Sequence, residues 1–109
     1  MDEKLEYELS SGNVFKDLKI SNPEEAMAKA ELARQINQII AERQLTQHAT
    51  AKILGIDQPK VSALLNGRLT GFSTERLLRF INSLNYNVEI VIRAKTNSQE
   101  RGTISVIAA

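Results

Sequence analysis

The chain has 109 residues, 42% of them hydrophobic but only 5% aromatic, with no Trp, no Cys and a formal net charge of +1. That composition suits one domain with room for a tail, built on a modest core of Leu, Ile, Val and Ala; it excludes disulfides and thiolate metal sites and fits a reducing cytoplasm. No apolar run approaches the roughly 18 residues that a bilayer span needs, and the acidic opening MDEKLEYELSSG has no apolar core of the signal-peptide kind.

Residues 1–12 show little periodicity and end in Ser10, Ser11 and Gly12. Residues 1–21 are expected to form a partly mobile N-terminal extension. Within it NVFKDLKI carries Val14, Phe15, Leu18 and Ile20, enough for one amphipathic turn. Two readings stay open for that turn: a flap on the domain, or a segment that binds a partner.

Asn22 and Pro23 open the first convincing helix, as cap and first-turn residue, and Glu24 and Glu25 favour its positive end. Leu32, Ile36, Ile39 and Ile40 recur at helical spacing and predict a helix to Arg43 with that stripe inward. Thr46 is placed to cap a second helix over 47–54. Gly55 stands where a left-handed residue would end it. Ala51 lies one turn after Gln47, and its small side chain would let another helix cross closely.

Asp57 caps a third helix over 58–65, with Pro59 in its first turn. Ile56, Val61 and Leu64 are spaced to anchor it, leaving Gln58, Lys60, Ser62 and Ala63 outward. Asn66-Gly67 is a strong stop. Ser73 caps a fourth helix over 74–84, with Leu77, Leu78, Ile81 and Leu84 as its buried stripe and Glu75 and Arg79 able to pair outside. Residues 22–85 thus read as a helix-turn-helix DNA-binding domain in a mainly α fold of about four to five helices.

After Asn85 the period changes. Val88, Ile90 and Ile92 alternate with Glu89, Val91 and Arg93, as in a strand. A polar linker, KTNSQERG, precedes a second β-prone run from Thr103 to Ile107. Residues 86–109 are therefore expected to form a C-terminal β segment. A lone strand leaves backbone groups unsatisfied, and an isolated hairpin is marginal in water. The preferred expectation is a homodimer joined through Val88, Ile90, Val91 and Ile92; the alternative is a hairpin packed on its own helices.

Charge supports a DNA-binding centre. Residues 1–31 hold Asp2, Glu3, Glu6, Glu8, Asp17, Glu24, Glu25 and Glu31 against four Lys. Residues 32–80 hold Arg34, Arg43, Lys52, Lys60, Arg68, Arg76 and Arg79 against Glu42, Asp57 and Glu75. The predicted recognition segment is the basic one, as phosphate attraction requires.

The expected base contacts come from the start of the third helix. The Gln58 amide both donates and accepts, which suits adenine N6 and N7. Ser62 follows one turn later, Lys60 can meet a guanine or a phosphate, and Pro59 and Ala63 offer apolar contact to a thymine methyl. Gln47 is expected to hold a phosphate while bracing Gln58. Thr46, Asn66, Arg68, Ser73 and Thr74 are the other expected phosphate contacts, with Arg68 as the main clamp and free N–H groups near Ser73 and Thr74 as a second site. The plainer readings are a solvated Gln58 and a Ser73 that only caps. Arg76 and Arg79 read as solvated or paired.

Catalysis is not expected. His48 is the single histidine and reads as a surface residue; no metal cluster, nucleophile–base pair or phosphate-cradling glycine loop is apparent, so no cofactor is expected either.

The order Gln47, Ala51, Gly55, Ile56, Val61, Leu64 also resembles the Cro/repressor (XRE-type) helix-turn-helix class. NVFKDLKISNPEEAMAKAELARQI together with LTQHATAKILGIDQPKVSALLNGRLTGFSTERLLRFINSLNYNVEIVI resembles the HigA-like antitoxins of bacterial type II toxin–antitoxin pairs. The likeness covers roughly residues 12–93. Its most specific parts are IDQPKVSALLNG and GFSTERLLRF, while KTNSQERGTISVIAA matches no pattern of that group. The resemblance implies a dimer on an inverted-repeat operator in its own promoter. It further implies a cognate toxin, usually a RelE-like or HigB-like mRNA endonuclease, and a cytoplasmic, nucleoid-associated place in a bacterium. The alternatives are a phage-type or housekeeping XRE repressor with no toxin, and an interaction protein that sequesters a partner without binding DNA.

Overall fold

The architecture follows from three local devices: apolar stripes, polar caps and left-handed exits. It was obtained as a computed structural model, which describes residues 23–96 and 101–108. The expectations for the N-terminal extension, for NVFKDLKI and for Asn22 as a cap lie outside the described residues.

Helix α1 spans Pro23–Glu42 and buries Ala28, Leu32, Ala33, Ile36, Ile39 and Ile40 along one stripe. It stops one residue short of the expected Arg43. Gln44 takes φ +54°, and the Leu45 N–H reaches back to the Ile40 carbonyl at 3.0 Å, a closure that satisfies an end-of-helix acceptor.

Helix α2, Gln47–Leu54, starts where the Thr46 hydroxyl accepts from the Ala49 N–H at 3.0 Å. It ends at Gly55, φ +73°, with the Gly55 and Ile56 N–H groups both donating to the Ala51 carbonyl. Helix α3, Gln58–Leu65, starts on the Asp57 carboxylate, which accepts from the Lys60 N–H at 2.9 Å. Helix α4, Thr74–Ser83, starts on Ser73, whose hydroxyl accepts from the Arg76 N–H at 3.1 Å.

Helix α1 packs chiefly on α4 and also meets α3; α2 meets α3 and α4. Ile36, Leu64, Leu77, Leu84 and Val61 are fully buried where these faces converge. Each such side chain contributes about 1.5–3 kcal/mol by leaving water. Leu78 is only half-buried. One core member carried no periodic signal: Phe72, in the loop before α4, meets Phe80 edge to face at 5.9 Å and 76°. Among the described residues no helix is long and apolar enough to cross a membrane.

The C-terminal expectation needs correction. Residues 86–96 are exposed, and the described residues form no strand ladder. Neither the strand nor the hairpin is present among the described residues. A strand needs an edge to bond with, and the second β-prone run does not supply one. It lies instead against the start of α1. The Ile104 N–H donates to Glu24 Oε2 at 3.2 Å, Arg101 pairs with Glu24 at 3.6 Å, and Val106 packs against the core.

Candidate nucleic-acid interface

The cap and core contacts fix which face of α3 is left over. Val61 and Leu64 are fully buried and Ile56 packs against the core just before the helix. The opposite face carries Gln58, Pro59 and Lys60, all exposed, with Ser62 half-buried. Ala63 departs from expectation: it is half-buried and packs against the core, because the loop after α3 folds back and the Arg68 N–H bonds its carbonyl at 2.9 Å. It still lines a shallow cleft with Pro59, Lys60, Arg68 and Thr70.

Two cations, Lys60 on α3 and Arg68 in the loop after it, line that cleft. Neither holds an ion pair among the described residues. Asp57 also lines the cleft, but one of its oxygens is engaged as the α3 cap. Together the cations form a local positive notch that attracts phosphate. Thr70 and Gly71, which carry no local signal in the sequence, form part of its wall.

The other expected phosphate residues divide by what their side chains already do. Thr46 and Ser73 spend their hydroxyls as caps yet remain exposed. The Asn66 amide donates to the Ser62 carbonyl at 2.8 Å, closing the end of α3. The Thr74 hydroxyl is buried and has no hydrogen-bond partner, so its side chain does not face outward; only the first-turn N–H groups of α4 are left for an anion there. Arg68 is exposed.

The expected brace from Gln47 to Gln58 is also corrected. Gln47 is exposed, and the residue that reaches α3 is the next one: His48 Nδ1 lies 3.4 Å from the Gln58 amide nitrogen. Ala51, expected at the close crossing, is half-buried, whereas Thr50 beside it is fully buried. Arg79 pairs with Glu75 at 3.2 Å, as the four-residue spacing suggested. Arg76 instead sits over both the Phe72 and Phe80 rings at 5.7 Å.

Residues 14–93 match the family model described as a helix-turn-helix domain. A solved structure named as an XRE-family transcriptional regulator is similar to this chain, with a TM-score of 0.77 and 49% sequence identity over 82% of this chain and 100% of that one. No curated protein matches the chain.

Proposed function

Because the chain belongs to the helix-turn-helix family of XRE-type DNA-binding transcriptional regulators, we propose that it represses its own operon as a homodimer on an inverted-repeat operator. The observation that carries this reading is the exposed start of α3, where Gln58, Pro59 and Lys60 project while Val61 and Leu64 hold the helix down. Such a helix can lie in a major groove. Gln58 reads a base by its two-ended amide, Ser62 and Lys60 add contacts to bases or phosphates, and Pro59 and Ala63 supply apolar surface. Arg68, Gln47, Thr46, Asn66 and the N-terminus of α4 hold the backbone and set the register.

The three parts of the chain take three tasks in this reading. Residues 22–85 bind DNA, residues 86–109 join two copies, and residues 1–21 meet a cognate toxin. The antitoxin role rests on the resemblance to HigA-like proteins over residues 12–93. The acidic, apolar-dotted N-terminal extension suits a cationic RNA-cleaving partner.

A gel shift with the protein's own promoter, repeated at rising salt, tests the repressor reading. Binding that is specific and weakens with salt is expected; a promoter fragment left unbound even at low salt overturns it. Co-expression with the neighbouring reading frame tests the toxin. Growth rescue by the full chain and its loss on deleting residues 1–21 is the expected pair of results. Rescue that survives the deletion removes the toxin site from that segment.

A further inference from the structure

We propose that two copies of this chain pair residues 88–94 as antiparallel strands in one register, with Val91 on the two-fold axis and Glu89 opposite Arg93 of the second copy. This deepens the homodimer reading above and rests on it.

The segment is exposed, and at strand period it carries apolar side chains on both faces. Ile90, Val91 and Ile92 are 77%, 63% and 93% exposed. Water is a poor neighbour for such a run, and its backbone groups have no ladder among the described residues. Its exit from α4 is fixed. Asn85 takes φ +71°, the Tyr86 N–H bonds the Ile81 carbonyl at 3.1 Å, and the Asn82 amide donates to the Tyr86 carbonyl at 3.1 Å. Arg43 braces the same corner: its guanidinium donates to the Leu84 carbonyl at 2.8 Å and lies 5.5 Å from the Tyr86 ring centre. An arm held at its root and bare beyond it is prepared for an edge to pair with.

Charge complementarity selects a second copy as that edge. Glu89 and Arg93 share one face of the strand, and neither has an ion-pair partner among the described residues. Four residues of extended chain separate them by about 13 Å, too far to pair within one strand. Two copies related by a two-fold axis bring them together twice.

Symmetry leaves few registers. In a two-fold antiparallel pair each residue keeps its face in both copies, and opposite residues share a face, so the axis must pass through a residue. With the axis at Val91, Glu89 meets Arg93, Ile90 meets Ile92, Val88 meets Ala94 and Val91 meets itself. Every charge in the segment then has an opposite partner and every apolar residue an apolar one. With the axis at Ile90, Glu89 faces Val91 and Arg93 faces Asn87. With the axis at Ile92, Glu89 faces Lys95 but Arg93 falls on Val91. The other face, from Val88, Ile90, Ile92 and Ala94, is wholly apolar in each of these registers, so the charge pairing selects Val91.

The chain contains no cysteine, so introduced thiols report the register directly. Full-length V91C should form an intermolecular disulfide with itself under mild oxidation. I90C and I92C should cross-link poorly alone and readily when mixed, since only the mixed pair lies within disulfide reach. E89R alone should raise the dimer dissociation constant about tenfold, and E89R combined with R93E should restore it. A dimer by native mass in which I90C or I92C self-links and V91C does not overturns the register while leaving the dimer standing. A chain that stays monomeric at every concentration overturns both. A double charge swap no better than E89R alone also overturns the register.

Discussion

The side-chain amide nitrogen of Gln58 lies 3.4 Å from His48 Nδ1, across the turn that joins α2 to α3. The contact orients the first side chain of the proposed reading helix, and an amide's orientation decides which end donates. Gln58→Ala is expected to cost about 1–3 kcal/mol of operator binding and to relax preference at one base pair. His48→Ala should cost less, below about 1 kcal/mol, since it removes one exposed side-chain contact. Its loss should fall on the same base pair. Binding isotherms against an operator and its single-base variants measure both. A His48→Ala loss spread evenly over all sequences would instead make the histidine a backbone contact.

Arg68 lines the same cleft as Lys60, just beyond the left-handed Gly67 that ends the α3 turn. A cation so placed meets phosphate whatever the base sequence. Arg68→Ala should therefore weaken specific and non-specific DNA nearly alike and reduce the slope of log affinity against log salt by about 1. Salt titrations with operator and unrelated duplexes give that slope. An unchanged slope would mean that Arg68 does not reach the backbone.

Gly55 makes the turn itself. Its φ is +73°, and a Cβ added there would meet nothing within 4 Å. Gly55→Ala is thus a test of backbone strain without a clash. It should destabilise the domain by about 1–2 kcal/mol, the cost of a left-handed L-residue. Chemical denaturation with an unchanged m-value would confirm a pure stability effect. A neutral result would show that the turn can relax.

These features differ in how far the sequence announced them. Caps are local: Thr46, Asp57 and Ser73 each accept from an N–H three residues on, so short-range spacing was enough to find them. The stripe of α1 and the left-handed Gly55 were legible for the same reason. Phe72 was not, because it lies outside any helical period and its burial is set by Phe80 and the rest of the core. His48 looks in sequence like a lone surface residue, since nothing in one dimension says that it faces Gln58 ten positions later. The alternation from Val88 to Arg93 predicted a strand that the described residues do not form: a ladder needs a neighbour, and a period does not name one. Ile104 bonds Glu24 across 80 positions, a contact beyond any pattern argument.

That last contact yields a prediction about the tail. The Glu24 carboxylate accepts from the Ile104 N–H at 3.2 Å and pairs with Arg101 at 3.6 Å, tying residues 101–108 to the first turn of α1. Val106 packs against the core beside this tie. Arg101 is largely exposed, so the ion pair itself contributes at most about 1 kcal/mol, and screening by salt reduces it further. Glu24→Ala should therefore leave the melting of the helical core almost unchanged. It should, however, free the Ile104 amide, which would exchange with solvent at the rate of an open chain. Hydrogen exchange resolved by residue measures this, with amides near Ile36 as the unaffected internal reference. Retained protection at Ile104 would show that Val106, rather than Glu24, holds the tail in place.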